Sequence, residues 1–192
     1  LPQDRTACAF PSSLDPTHNV YTVTLYLSPS DYHRVHAPAF FSINHRIHFP
    51  GKLLPVKGYF AQNVKGLFTI NERVILNGSW AHGFFSLGMV GAYNVGSISL
   101  ANPQDQDLRT NRRHRPYKGV GKNYCYRKEY ATPEEVMPGD PVGTFHVAIL
   151  CGDDCVLGST VVLAFESDAF TWLVKPGEKV KMGQPLGIIR HS

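Results

Sequence analysis

Residues 19–30, NVYTVTLYLSPS, alternate with a period of two. Val20, Thr22, Thr24 and Tyr26 fall on one side of an extended chain, Tyr21, Val23, Leu25 and Leu27 on the other, and Pro29 closes the run. Branched and aromatic side chains at that period predict a strand. Outward from it the same signature recurs. LFTINERVILNGSWAHGFFSL, residues 67–87, predicts two strands around Asn77-Gly78, a dipeptide suited to a two-residue hairpin turn. MVGAYNVGSISL, residues 89–100, reads as a further strand with Gly91 and Gly96 as bulge or close-approach points. VLGSTVVLAF, residues 156–165, reads as a buried strand, and the end of the chain places short strands around Pro176-Gly177 and Gly183. Helical signals are few. One is a turn or two after Ser30, and another is TPEEVM, residues 132–137, with Thr132 as cap and Pro133 at the first position. The expected fold is mainly β (α+β), an antiparallel barrel or sandwich with a few short helices, in one domain over residues 1–192.

At 192 residues, 43% hydrophobic and 18% charged, the chain has the composition of an ordinary globular domain able to bury a core. A net charge of +4 is too small to argue for nucleic acid as a partner. The basic residues gather in a loop at 102–118, with Arg109, Arg112, Arg113, Arg115 and Lys118. Such a run is either a solvated loop or a contact with acidic lipid. Four cysteines, Cys8, Cys125, Cys151 and Cys155, fit no zinc framework and in a domain of this size do not require disulfides. No apolar run approaches the roughly 18 residues that a spanning helix needs. The chain opens at Leu1, as a processed or truncated chain would.

Two stretches carry possible chemistry. Gly158-Ser159-Thr160 opens the last long strand, although a glycine there weakens it and two hydroxyls add nothing to a core. It is either a bulge at a strand entrance or a reaction site. In SPSDYHRVHAP, residues 28–38, a helix begun at Ser30 and ended by Pro38 would put His33 and His36 on one face, where two imidazoles can divide acid and base work. A metal pair or two surface histidines are the alternatives, with no third ligand evident and no metal expected. His45, His48 and His82 are scattered, as surface or core groups are.

Taken in order, YLSPSDYHRVHAP, HRIHFPGKLLPV, LFTINERVIL, HGFFSLGMVGAYNVGSI and LGSTVVLAFE resemble the phosphatidylserine decarboxylase family, in the Leu-Gly-Ser-Thr form of bacteria and mitochondria. The resemblance runs from about Tyr21 to the C-terminus. It implies that the Ser159 hydroxyl attacks the Gly158 carbonyl, that the chain cuts itself there, and that Ser159 becomes a pyruvoyl cofactor. Residues 1–158 would form the large chain and 159–192 the small one, both from the same precursor. The second histidine, His36, would act as base for Ser159, His33 would serve in decarboxylation, and Thr160 would help hold the scissile carbonyl. The implied substrate is phosphatidylserine in a membrane, and the product phosphatidylethanolamine. The implied site is the mitochondrial inner membrane, with peripheral association or an anchor in a missing N-terminal segment; a bacterial cell membrane is the alternative.

The chain departs from the family pattern twice. The family orients the base with an aspartate in an upstream Ser-Pro-x-Asp-Gly-like block that does not precede His36 here; Asp15 and Asp31 stand outside that motif, and Asp31 is expected to cap or flank the helix. Residues 147–155 also intervene before the Leu-Gly-Ser-Thr block. A fragment unable to process itself, which binds acidic lipid without turnover, is therefore the alternative reading. A carrier-type sandwich, suggested only by VKPGEKVKMGQPLG, lacks the lysine in a tight turn that it needs.

Overall fold

The computed structural model describes residues 3–4, 14–56, 63–93, 95–111, 124–147 and 158–190. Its strands are β1 (Gln3–Asp4), β2 (Asn19–Leu27), β3 (Arg34–His36), β4 (Phe41–Phe49), β5 (Arg73–Trp80), β6 (Gly83–Val90), β7 (Val95–Leu100), β8 (Tyr124–Val136), β9 (Pro141–Val147), β10 (Ser159–Ser167), β11 (Phe170–Trp172) and β12 (Gly187–Ile189). One helical turn, α1 (Leu67–Ile70), and a 3-10 turn at Pro103–Asp105 complete the described elements. An antiparallel sheet runs β1-β8-β4-β5-β6-β10-β2 and stays open, so the architecture is sandwich-like and not a closed barrel. A smaller sheet, β3-β9-β7, packs on it; a Cβ on Gly143 of β9 would lie 2.6 Å from the Met89 sulfur on β6. Val35, Ala37, Val142 and Phe145 of this layer share one core with Phe85, Leu87, Met89, Val161 and Leu163 of the large sheet.

The alternation of residues 19–27 appears as expected. Tyr21, Val23, Leu25 and Leu27 turn inward and their neighbours face out, on a strand at the sheet's edge. Tyr21 joins an aromatic cluster with Phe165 at 5.7 Å, Phe170 at 5.0 Å and Trp172 at 6.3 Å between ring centroids, which seats β11 on the sheet. β10 lies between β2 and β6; Val161, Leu163 and Phe165 face the core, while Val162 and Ala164 on the other face are half-buried.

Local signals lost to the sheet's register at several points. The β5–β6 hairpin exists, but it turns at Ala81-His82, and Asn77-Gly78 lies within β5. Gly78 meets a bulge in β4 between Ile43 and His45, where a Cβ would come within 1.7 Å of the Ser42 carbonyl oxygen. Asn77 accepts a bond from the Ser86 hydroxyl at 2.7 Å, so its side chain serves the sheet and not a turn. TPEEVM is not a helix: it ends β8, where Glu134, Glu135 and Val136 pair with Ile43, Ser42 and Phe41. The pairing of Glu134, Glu135 and Val136 with β4 outweighs one capping pattern. MVGAYNVGSISL divides into the end of β6 and all of β7, and the pairing of β7 shifts between Val95 and Ser97, a bulge at Gly96.

The start of the basic loop is tied down. Asn102 caps the 3-10 turn by accepting the Gln104 N–H. Arg46 on β4 reaches Asp105 at 2.6 Å and Asp107 at 2.5 Å, and the Tyr130 hydroxyl donates to Asp105. Burial, then the Asp105 carboxylate, push the Tyr130 phenol well up. Residues 112–118 of that loop, and 148–157 ahead of Gly158, lie outside the described residues. Cys125, fully buried beside Ile47 and Phe49, is disulfide-bonded.

His45 supplies a pH dependence. Burial, then the Arg127 charge, hold its imidazole below the ordinary histidine value, against the pull of Glu129. The folded chain therefore resists a proton that the unfolded chain accepts below about pH 6.5, and stability is lost as pH falls through that point. A thermal-melt series from pH 7.5 to 5.5 should show the melting temperature falling in the native chain and falling less in His45→Gln.

Candidate functional site

The two stretches singled out by sequence are connected through the pairing of β2 with β10. Ser159 and Thr160 open β10 opposite Leu27 and Tyr26 of β2, and Thr160 also faces Val90 of β6. Beyond Leu27 the chain turns at Ser28–Asp31, crosses to β3 and pairs with β9, which lies over Met89. Met89 in turn faces Val161, two residues from Ser159.

The turn after β2 is closed by Asp31, whose carboxylate accepts the Ser28 N–H at 2.7 Å and whose own N–H reaches the Ser28 carbonyl. No helix follows. His36 lies in β3 and His33 just before it, so the spacing that would align them on a helix leaves them in different surroundings on an extended, bulged segment. The tie to β9 decides this: the Phe145 N–H donates to the His33 carbonyl, and Arg34 and Val35 pair with Thr144 and Gly143. Asp31 accordingly closes a turn and does not cap a helix.

Each imidazole is oriented by the backbone. His33 Nδ1 is 2.7 Å from the Asp31 carbonyl, and His36 Nδ1 is 2.7 Å from the Gly139 carbonyl. A carbonyl only accepts, so in both rings Nδ1 carries the proton and the neutral imidazole keeps its lone pair on Nε2. The two Nε2 atoms differ. That of His33 is buried without a hydrogen-bond partner, its ring edge-on to Phe145. That of His36 lies 2.9 Å from the Tyr32 hydroxyl, with the two rings stacked at 19°.

The carbonyl that orients His36 comes from the Met137–Asp140 turn, where Pro138 and Gly139 occupy the centre and Gly139 has φ 92°. Gly139 also donates its N–H to the Ala37 carbonyl, and the Ala37 N–H returns to Asp140. This loop was hidden behind the helical reading of TPEEVM; Pro-Gly was the signal that marked it. Tyr32 and the Asp31 carbonyl were equally missed, since no side-chain pattern announces a backbone acceptor.

Ser159 is 0% exposed and Thr160 1% exposed. The Ser159 hydroxyl has no hydrogen-bond partner, so neither histidine contacts it directly. An unsatisfied buried hydroxyl costs free energy that an alanine would not, which marks the serine as present for something other than packing. Gly158 has a steric reason as well: a Cβ there would sit 1.7 Å from the Leu27 carbonyl oxygen and 2.9 Å from the Tyr26 ring. Gly158, which admits no side chain, thus directly precedes a buried hydroxyl without a partner. That arrangement suits an internal acyl shift, and so suits a cofactor built from the serine itself.

Comparison with known proteins identifies a family. A family model described as phosphatidylserine decarboxylase matches residues 4–188. Phosphatidylserine decarboxylase proenzyme 1, mitochondrial, of Saccharomyces cerevisiae is 42% identical over 174 residues, covering 88% of this chain and 33% of that relative. The mitochondrial proenzyme of Pongo abelii is 42% identical over 88% of this chain and 39% of its own length. That of Arabidopsis thaliana is 35% identical over 91% and 39%. The chain therefore spans 33–39% of the length of these relatives.

The tightness at residue 158 has a measurable result. Gly158→Ala should lower stability by roughly 1–3 kcal/mol, the usual cost of overpacking, in urea unfolding followed by fluorescence. A variant as stable as the native chain would mean that β2 yields freely at Leu27.

Proposed function

The chain belongs to the phosphatidylserine decarboxylase family, and on that premise we propose that it cuts itself at Gly158-Ser159 and decarboxylates phosphatidylserine to phosphatidylethanolamine. The observation that carries this reading is the buried, unpartnered Ser159 hydroxyl beside a glycine that admits no side chain. The hydroxyl oxygen attacks the Gly158 carbonyl carbon, the peptide C–N bond breaks, and an ester and a free amine result. Loss of the Ser159 α-proton then expels the Gly158 carboxylate. Water replaces the nitrogen, which leaves as ammonia, and a ketone remains at the head of residues 159–192. When formed, that pyruvoyl group supplies an electron sink for an amine substrate.

The chain's own residues supply the rest. A serine hydroxyl attacks only when a base takes its proton, and His36 Nε2, made basic by the Gly139 carbonyl on the far nitrogen, is suited to that role. His33, with a free lone pair in a buried setting, is suited to hold and deliver a proton at the substrate's α-carbon. Thr160 helps hold the scissile carbonyl. Residues 1–158 and 159–192 remain together as large and small chains of one precursor. The relatives named above are mitochondrial proenzymes, which supports the mitochondrial inner membrane as the place of action. Among the described residues no helix is long and apolar enough to cross a membrane, which fits peripheral association through the part described.

Intact mass is the test. Two chains divided at Gly158-Ser159, the smaller blocked to N-terminal sequencing, support the reading; a single species of 21.4 kDa favours a lipid-binding chain without turnover. Ser159→Ala should leave one chain and no carbon dioxide release from phosphatidylserine vesicles. His36→Ala should block the cut, while His33→Ala should permit it and stop decarboxylation. The reverse pattern would exchange the two roles.

A further inference from the structure

The two histidines are oriented alike and finished differently. Both present a basic Nε2, because both give the Nδ1 proton to a backbone carbonyl at 2.7 Å. His33 Nε2 is left open, whereas His36 Nε2 is occupied by the Tyr32 hydroxyl at 2.9 Å. The nitrogen assigned to take the Ser159 proton is thus already accepting another.

We propose that Tyr32 is a positioning residue that acts as a latch on His36: its O–H holds the Nε2 lone pair and must release it before His36 can take the proton of Ser159. The inference rests on the reading of His36 as the base for that serine. Tyr32 is built for the task. It stands four residues before His36, and its ring lies almost parallel to the imidazole at 5.7 Å. The stack holds the imidazole plane while the hydroxyl holds the nitrogen. Tyr32 is also 53% exposed, so its hydroxyl can turn from Nε2 to water without leaving a buried donor unsatisfied. The phenol oxygen can accept as well as donate, so once His36 is protonated the same pair can close again with the direction of donation reversed.

With the carbonyl of Gly139 fixed by the bonds of its turn to Ala37, the imidazole is held from both sides, by Gly139 at Nδ1 and by Tyr32 at Nε2. Only the second contact is at an exposed, swinging side chain. Release therefore happens at Tyr32.

Tyr32→Phe is the decisive variant, since it keeps the stacked ring and removes only the hydroxyl. Followed by intact mass over time, its chain cleavage should run about two- to tenfold faster than the native chain, the range that one ordinary hydrogen bond spans. Equal or slower cleavage overturns the latch. The second measurement needs no cleavage: in the uncut Ser159→Ala chain, long-range proton–nitrogen correlation spectra of His36 should give the Nδ1–H tautomer. Its Nε2 signal should move downfield when Tyr32→Phe is added. An Nε2–H tautomer, or an Nε2 signal indifferent to Tyr32, also overturns the proposal. If neither chain cuts while Nε2 still answers to Tyr32, the Ser159 reading fails and the latch falls with it, and only the hydrogen bond between Tyr32 and His36 stands.

Discussion

The ladder between β2 and β10 is the constraint on which the site depends. It runs from Ser159 opposite Leu27 to Ser167 opposite Asn19, and it leaves Gly158 pressed against the last carbonyl of β2. A slip of one residue would turn every side chain of β10 to the wrong face and put a side chain where only a hydrogen fits. The far end is pinned too: the buried Glu166 carboxylate accepts the N–H groups of Asp15 and Phe84, and its carbonyl accepts the Trp80 indole N–H. Between those ends the strand has no freedom to shift, so the Ser159 hydroxyl keeps its place although nothing bonds to it.

The histidines are governed by a different kind of contact. Their orientation comes from two backbone carbonyls on two separate turns, and those turns exist because Asp31 and Pro138-Gly139 close them. A carboxylate beside an imidazole would add charge; a carbonyl fixes the tautomer without adding any. In this end of the molecule the base is therefore set by geometry more than by field.

Strand identities were legible where packing and pattern agree. Residues 19–27 and 159–167 show this, since in β2 Tyr21, Val23, Leu25 and Leu27 face the core and in β10 Val161, Leu163 and Phe165 do. What was not legible depended on a partner strand. Asn77-Gly78 carries a turn signal, yet the bulge opposite it in β4 needs a glycine there for room, and the chain turns three residues later. Thr132 to Glu135 carry a helix-start signal, yet Glu134, Glu135 and Val136 pair with β4. Of the candidate site, Gly158, Ser159, His33 and His36 are the residues that type and order single out. Tyr32 and Gly139 are not among them, because the property that matters in one is an exposed hydroxyl near a ring and in the other a peptide oxygen.

The position of β10 inside the sheet also settles what a backbone break at residue 158 would do to the assembly. The freed piece would begin with an interior strand flanked by β2 and β6, both of which belong to the other piece. One chain would become a two-body complex with no new surface between its members, in which the smaller body fills a slot that nothing else can occupy. Dissociation would mean breaking the ladders on both sides of β10, so the cut ends stay neighbours, and the covalent link becomes dispensable as soon as the fold is made.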